Sequence, residues 1–340
     1  MGNGPYILKE WAHESELVFE KNPNYWNADE IKLDEVRLMI IPDQNTALNM
    51  YETGDLDLAM IPSAFVPQYE AEGKANYSMS GVEWWLEFNV DADSPAGELL
   101  ANANFRHAIG HAIDRQAYVD AVYNNGSLPA QVYTPEIMML GDTPWGEVYT
   151  TKWYDASANA AKAEECLNLA LQETGIARED IPTIRFLTDD TPERKISAEA
   201  IQDMVYQTLG INMEISQVQS KQRFEMMTAG DFDIVFAGYS PDYNDPVAWL
   251  ERLQSKSGLN DTNFADEEYD ALIAEAAVTV DNAKRGELLA KAEDIMRERG
   301  PLVPVFFRTN VWVQADYVQN LTAGVISDME FNFIYADIVK

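Results

Sequence analysis

The chain has 340 residues, 46% of them hydrophobic, enough to bury a substantial core in two domains or one large one. Its 57 acidic and 24 basic residues give a formal net charge of −33, which repels nucleic acid and anionic lipid at long range. No apolar run approaches the roughly 20 residues of a membrane span, and the single cysteine, Cys166, excludes an intrachain disulfide and a multi-cysteine zinc site.

In chain order, residues 5–42 read as strands at Tyr6–Leu8, Glu16–Phe19 and Val36–Ile41, with turns at Asn22-Pro-Asn and Asn27-Ala-Asp. Residues 44–53 read as a helix stopped by Gly54, and Asp55–Met60 as a short strand. Gly81–Val90 is aromatic and extended, with Trp84 and Trp85 on opposite faces. Asn104 is the expected cap of a helix whose Phe105, Ala108, Ile109, Ala112 and Ile113 form one apolar stripe. The segment from about 126 to 155 is rich in Pro, Gly, Tyr and Met, and its length suggests a functional loop or lid.

From about 158 helices and strands alternate. A helix runs to Thr174 and stops at Gly175; Thr183–Leu187 is a strand; Thr191-Pro192 opens a helix that ends at Gly210. Ile211–Val218 is a strand, 221–229 a helix, and Phe232–Gly238 an almost unbroken apolar strand. This β-α-β-α-β run predicts a mostly parallel sheet covered on both faces. Helices at about 266–277 and 281–298 follow, then strands Val303–Phe307 and Val311–Gln314. Cys166 lies beside the stripe of Ala163, Leu167, Ala170 and Leu171, which suits a small buried hydrophobe.

In open α/β sheets, ligands bind beyond the carboxyl ends of the strands. Two such ends are Leu187–Arg194 and Gly238–Pro246, and right-handed crossovers bring both to one edge. Asp242, Asn244 and Asp245 then leave a strand apolar enough to be core. Asp245 before Pro246 suits a helix cap, whereas Asp242 is open to either a turn or a ligand role. His107 and His111 are spaced i, i+4, but Ala108 stands where a zinc protease needs Glu; both histidines are expected to face solvent. GxSxG, GxGxxG and GxxxxGK[ST] are absent. Among 57 acids a two-carboxylate hydrolase site has no local pattern to mark it.

Several segments, in order, resemble one family. They are Gly2-Asn-Gly-Pro-Tyr-Ile-Leu-Lys-Glu-Trp, Phe19-Glu-Lys-Asn-Pro-Asn-Tyr-Trp, Tyr51-Glu-Thr-Gly-Asp-Leu-Asp, Phe105-Arg-His-Ala-Ile-Gly-His-Ala-Ile-Asp-Arg, Asn125-Gly-Ser-Leu-Pro-Ala, Ala237-Gly-Tyr-Ser-Pro-Asp-Tyr-Asn-Asp-Pro and Pro301-Leu-Val-Pro-Val-Phe-Phe. They look like the middle and later parts of the oligopeptide- and dipeptide-binding proteins of ABC importers, extracellular solute-binding family 5. The resemblance implies an α/β, periplasmic-binding-protein-like, two-lobed fold of cluster C type, with mixed sheets flanked by helices. It implies a lobe I formed by residues 1–83 and 310–340 and incomplete at its start, and a lobe II formed by 84–309. The export signal, lipoprotein cysteine, first strands and small extra domain of the family are expected upstream.

The family implies no chemistry on the ligand and no cofactor or metal. It implies delivery of short peptides to membrane permease subunits by an extracytoplasmic protein, periplasmic or lipid-anchored at the cell surface, that is monomeric at full length. The Asp of the family's Asp-Tyr-Asn-x-Pro loop pairs with the peptide's α-ammonium and aligns with Asp242, among Tyr239, Ser240, Tyr243 and Asn244. Trp84, Trp85 and Glu87 align with a strand that flanks the peptide backbone, and Arg194 with a position near its carboxylate. The chain departs from the pattern at Met227 and Phe236, where oligopeptide binders carry further arginines. The same fold with another solute, an oligosaccharide or metal chelate, is the alternative, and a carboxylate-based hydrolase the more distant one.

Overall fold

The computed structural model describes residues 2–324 and 331–339. They fall into two compact units, Met1–Ser80 with Thr309–Lys340, and Gly81–Arg308. In the first unit, β1 (Tyr6–Ala12), β2 (Glu16–Lys21) and β3 (Glu35–Met39) form an antiparallel sheet, its register shifted between Leu8 and Glu10. Helix α1 (Gln44–Thr53) is capped by the Asp43 carboxylate, which accepts from the Thr46 amide, and ends on Gly54 at φ 82°. That conformation is nearly free for glycine and strained for other residues. Strand β4 (Leu58–Met60) and helix α2 (Val66–Ala71) complete this part. Leu48, Ala59, Ile61, Val66 and Tyr69 pack with Val311 and Val313 as its core.

Strand β5 (Asn76–Phe88) begins in the first unit and ends in the second. Two helices follow, α3 (Gly97–Ala101) and α4 (Ala103–Ala112). The cap of α4 is Asn102, not Asn104: the Asn102 side chain accepts from the Phe105 amide at 3.2 Å. Asn104 instead donates to Glu173. His107 and His111 are half-buried rather than solvent-facing. Tyr154 packs between them, donor or acceptor to His107 Nδ1 at 3.0 Å and edge-on to the His111 ring. Burial pushes both imidazoles down, His111 to about 4, so both are neutral at pH 7.

After the short helix α5 (Arg115–Tyr118), the segment expected as a functional loop or lid contains β6 (Leu128–Pro129), β7 (Met139–Leu140), β8 (Thr143–Pro144) and α6 (Trp145–Val148). Much of it is packed into the core. Val132, Tyr133, Met138, Leu140 and Trp145 are buried, and the Thr134 amide and Trp145 indole N–H both donate to the Glu293 carboxylate. Aromatic content explains the difference: these side chains bury too much apolar area to leave the core.

The alternating half follows the expected order: α7 (Ala160–Thr174), β9 (Ile184–Asp189), α8 (Pro192–Leu209), β10 (Met213–Val218), α9 (Ser220–Ala229) and β11 (Ile234–Tyr239). Cys166 is buried on α7, as expected of a small hydrophobe, and burial raises its thiol pKa. Strand β9 pairs in parallel with both β10 and β11. The sheet is less parallel than the alternation predicts, because β11 pairs antiparallel with β5 on its other side. Helices α10 (Val247–Leu250), α11 (Glu267–Val278) and α12 (Asn282–Arg299) then lead to β12 (Leu302–Gln314). This is one strand of 13 residues, not two; its far end pairs with β4 in the first unit.

Three arginines of the second unit are buried. Arg106 donates to the carbonyls of Gly300, Leu100 and Arg299, and Arg115 to those of Pro304, Gly110 and Ile113. Arg223 pairs with Asp189 at 2.9 Å, both side chains nearly enclosed. Removing one member of such a pair strands the other charge, at a cost of about 3–5 kcal/mol. Asp189→Ala is therefore expected to lose about 3 kcal/mol in urea unfolding, and Asp189→Leu with Arg223→Met to regain most of it. Equal losses in the single and double variants would refute the pairing as the cause.

Candidate functional site

The two expected strand ends do lie on one edge, since β9 and β11 are parallel neighbours with Ile234 beside Phe186 and Val235 beside Leu187. Four successive residues of β11, Ile234 to Ala237, are 0–4% exposed. The strand must therefore be covered on both faces, and its exit point is fixed. Gly238 lies opposite Trp84 of β5. A Cβ there would sit 2.5 Å from the indole, so only glycine admits the ring at this position.

The chain then turns outward through Tyr239–Pro246. Asp245 is held inward: its carboxylate accepts from the Val247 amide and pairs with both terminal nitrogens of Arg285. The sequence suggests Asp245 as the cap with Pro246 first in the helix; instead Pro246 is the N-cap of α10, which starts at Val247, and Asp245 bonds the Val247 amide from one position further back. Asn244 accepts from the Met139 amide at 2.9 Å, and the exposed Tyr243 donates its hydroxyl to Glu251 at 2.7 Å. Ser240 has its hydroxyl buried without a partner among the described residues. Asp242 is exposed, and its Oδ2 accepts from the Tyr239 hydroxyl at 3.2 Å. The Tyr239 ring is held by the edge of Trp249 at 5.1 Å and by Arg252, whose guanidinium carbon lies 4.5 Å from its centre. The loop thus offers one outward carboxylate on a braced base.

Strand β5 splits its predicted site residues between two faces, as alternation requires. Trp84 is partly buried and carries the guanidinium of Arg194 at 3.4 Å from its ring centre, with Phe236 and Phe306 beside it. Arg194 also donates to the Tyr123 hydroxyl at 3.0 Å. Trp85 and Glu87 are each 1% exposed and belong to the interior. The Trp85 indole donates to Glu87 at 3.1 Å, and its ring packs edge-on with Tyr133 and Trp249. They brace the site from behind, and no surface of either is offered outward.

The sequence reading missed Arg252, Trp249, Tyr123 and Glu83. No local pattern marks Arg252, whose role depends on Tyr239 arriving from another element. Glu83 was legible only as one more acid, yet it is fully buried opposite Tyr239, and neither carboxylate oxygen has a partner among the described residues. Burial, reinforced by the charge of Glu293 and opposed by Arg115 and Arg252, raises its pKa well above the usual range. Glu87 is likewise raised by burial, to about 7, against the opposing pull of Arg252.

The folded value for Glu87 lies above its ordinary value of 4.5. Between the two, the native state keeps a proton the unfolded chain has lost, so stability falls as pH rises from about 4.5 to about 7. Glu87→Gln removes this dependence. Its urea stability is expected to change by about 2–3 kcal/mol less than the wild type's between about pH 5 and pH 8. Parallel pH profiles for the two proteins would show that Glu87 ionises freely in the fold.

Comparisons give the family. The profile described as bacterial extracellular solute-binding proteins, family 5 middle, matches residues 1–261, and the chain belongs to that family. The oligopeptide-binding protein OppA of Bacillus subtilis is 29% identical over 344 residues, 98% of this chain and 61% of the relative. The dipeptide-binding protein DppE of the same organism is 30% identical, covering 94% of this chain and 58% of DppE. The chain spans about three-fifths of the length of these relatives. Among solved structures, the substrate-binding domain of an oligopeptide ABC transporter from Bacillus anthracis superposes with a TM-score of 0.84 at 28% identity, covering 99% of this chain and 65% of that one. OppA of Listeria monocytogenes bound to peptide gives 0.84 at 26%, with the same coverage. The expected periplasmic-binding-protein fold is the one these structures share with the chain, and the family is one of solute-binding proteins rather than enzymes.

Proposed function

We propose that this chain belongs to an extracytoplasmic solute-binding protein that captures short peptides and delivers them to the permease subunits of an ABC importer. Residues 1–83 and 310–340 belong to its lobe I and 84–309 to its lobe II. The peptide's α-ammonium pairs with Asp242, while Tyr239, Ser240, Tyr243 and Asn244 shape the loop around it. Trp84 lies along the peptide backbone, and Trp85 and Glu87 support that strand from the core. The full-length protein is monomeric and works at the cell surface or in the periplasm.

The observation that carries this reading is the state of Asp242. Its neighbours Asn244 and Asp245 are tied to Met139 and Arg285, whereas Asp242 is exposed with a single hydroxyl donor. A carboxylate held so can accept a charge-assisted bond from an ammonium, worth about 1.5–3 kcal/mol. It recognises a group every peptide has, which gives affinity without reading side chains.

Calorimetry of the full-length protein with a defined peptide pool tests the proposal. Asp242→Ala is expected to weaken binding about 10–100-fold, and N-acetylation of the peptide to weaken wild-type binding similarly. Unchanged affinity in the variant removes Asp242 as the anchor. Failure of every peptide to bind, with an oligosaccharide or metal chelate binding instead, removes the peptide.

A further inference from the structure

Side chains alternate across the sheet, so the strand edge that carries Asp242 has two distinct faces. Trp84 and Phe236 share one of them, with Arg194 on the Trp84 ring. By register, Glu83, Trp85 and Glu87 of β5, Tyr239 of β11 and Asp189 of β9 share the other. Two guanidinium groups lie on this second face. Arg223 gives its Nε to Asp189 at 2.9 Å and its Nη1 to the Met227 sulfur at 3.1 Å. Arg252 is held differently. Its guanidinium carbon lies 4.5 Å from the centre of the Tyr239 ring and 5.3 Å from that of Trp85, and no hydrogen bond or ion pair engages it among the described residues. Its Nε is enclosed without a partner, while the two terminal nitrogens are not enclosed. The Tyr133 hydroxyl lies beside it but donates to the Trp249 carbonyl at 3.4 Å. Glu83, Glu87 and Asp261 all feel the charge of Arg252, yet burial works against the charged form of each, which makes them poor counter-ions. Asp242 stands across the same tyrosine: Tyr239 gives its hydroxyl to Asp242 at 3.2 Å and its ring to Arg252. One phenol thus carries an anion at its tip and a cation on its ring.

We propose that Arg252 is a specificity-determining residue of the Asp242 site, receiving the side-chain carboxylate of a peptide whose first residue is acidic while the α-ammonium sits on Asp242. The inference rests on the peptide reading of the Asp242 loop. A ligand with an ammonium and a carboxylate several bonds apart matches the charges on the two sides of Tyr239, and such complementarity sets the choice between ligands more than total affinity. An α-carboxylate shares its carbon with the ammonium and is too close to straddle a phenol ring; a glutamate side chain adds two methylenes of reach. The terminal nitrogens needed for a charge-assisted bond are unpaired at Arg252, whereas Arg223 and Arg285 already pair with Asp189 and Asp245. The field of the whole chain, with its net charge of −33, favours cationic ligands. A preference for an acidic first residue therefore requires a local cation, and Arg252 supplies one beside the anchor.

The test is calorimetry of the full-length protein with three C-terminally amidated peptides that differ only in their first residue, Glu, Gln or Lys, and carry no other carboxylate. The wild type is expected to bind the Glu-first peptide about fivefold or more tightly than the Gln-first one, with the Lys-first peptide weakest. Equal affinity for Glu and Gln, or a preference for Lys, overturns the proposal while peptide binding itself stands. If none of the three binds, amidated or as the free acid, the peptide reading fails. Arg252→Met keeps apolar contact with Tyr239 and removes the charge. In that variant the ratio of Glu-first to Gln-first affinity is expected to fall to about one, apart from any change the two peptides share. A ratio that stays at its wild-type value shows that another group reads the acid and overturns the assignment to Arg252. Arg252→Gln, read by the same ratio, replaces the methionine variant if that protein does not fold.

Discussion

The second unit depends on the burial of β11. Its residues Ile234, Val235, Phe236 and Ala237 have no exposed face, with a parallel neighbour on one side and an antiparallel one on the other. A strand so enclosed cannot slip, because a shift of one residue would exchange the side chains of two packed layers. Its carboxyl end is therefore a fixed point. The close approach of Trp84 over Gly238 sets the last residue before the turn, and the Asp245–Arg285 pair sets the first residue after it. Asp242 lies between two clamps. The precision of the loop comes from a core that never touches solvent.

Much of this was legible in the sequence because the relevant signals are local. Gly175 and Gly210 end their helices in the left-handed region, and Thr191 with Pro192 opens α8 with the Thr side chain as cap. The alternation of helix and strand led directly to the parallel set β10, β9 and β11. What was not legible depends on partners distant in sequence. Strands β5 and β12 are each continuous for 13 residues, and only a neighbouring strand decides that a run with a polar middle stays extended. Asn102 and Asn104 are equivalent caps by composition, and Glu173 on α7 engages them both. His107 and His111 lie off the apolar stripe of α4, and the stripe alone gives no notice that Tyr154 covers them.

The same distinction separates the Asp242 loop from the rest of the site. Asp242 was found because the loop is dense in turn residues beyond an apolar strand. Trp85 and Glu87 were singled out with Trp84, but alternation along β5 turns them to the interior, where Glu87 accepts from the Trp85 indole. The motif Phe105–Arg115 contributed strongly to the resemblance, yet the hydrogen bonds of its arginines go to backbone carbonyls rather than to the Asp242 loop. They satisfy carbonyls at the ends of α3, α4 and α12 and along β12, where helix carbonyls would otherwise be orphaned.

Those arginines bear on the composition of the chain. With 57 acids against 24 bases, the chain is poor in cations relative to its anions. An exposed lysine can be shed at little cost. The cations buried among the described residues are Arg106, Arg115 and Arg223, and none is a lysine. A planar fork spans two or three acceptors at once, which a single ammonium on a flexible stem does not. A change that removes positive charge therefore meets a floor inside the fold: however acidic the surface, loss of Arg106 or Arg115 would orphan backbone carbonyls, and loss of Arg223 would strand the Asp189 carboxylate.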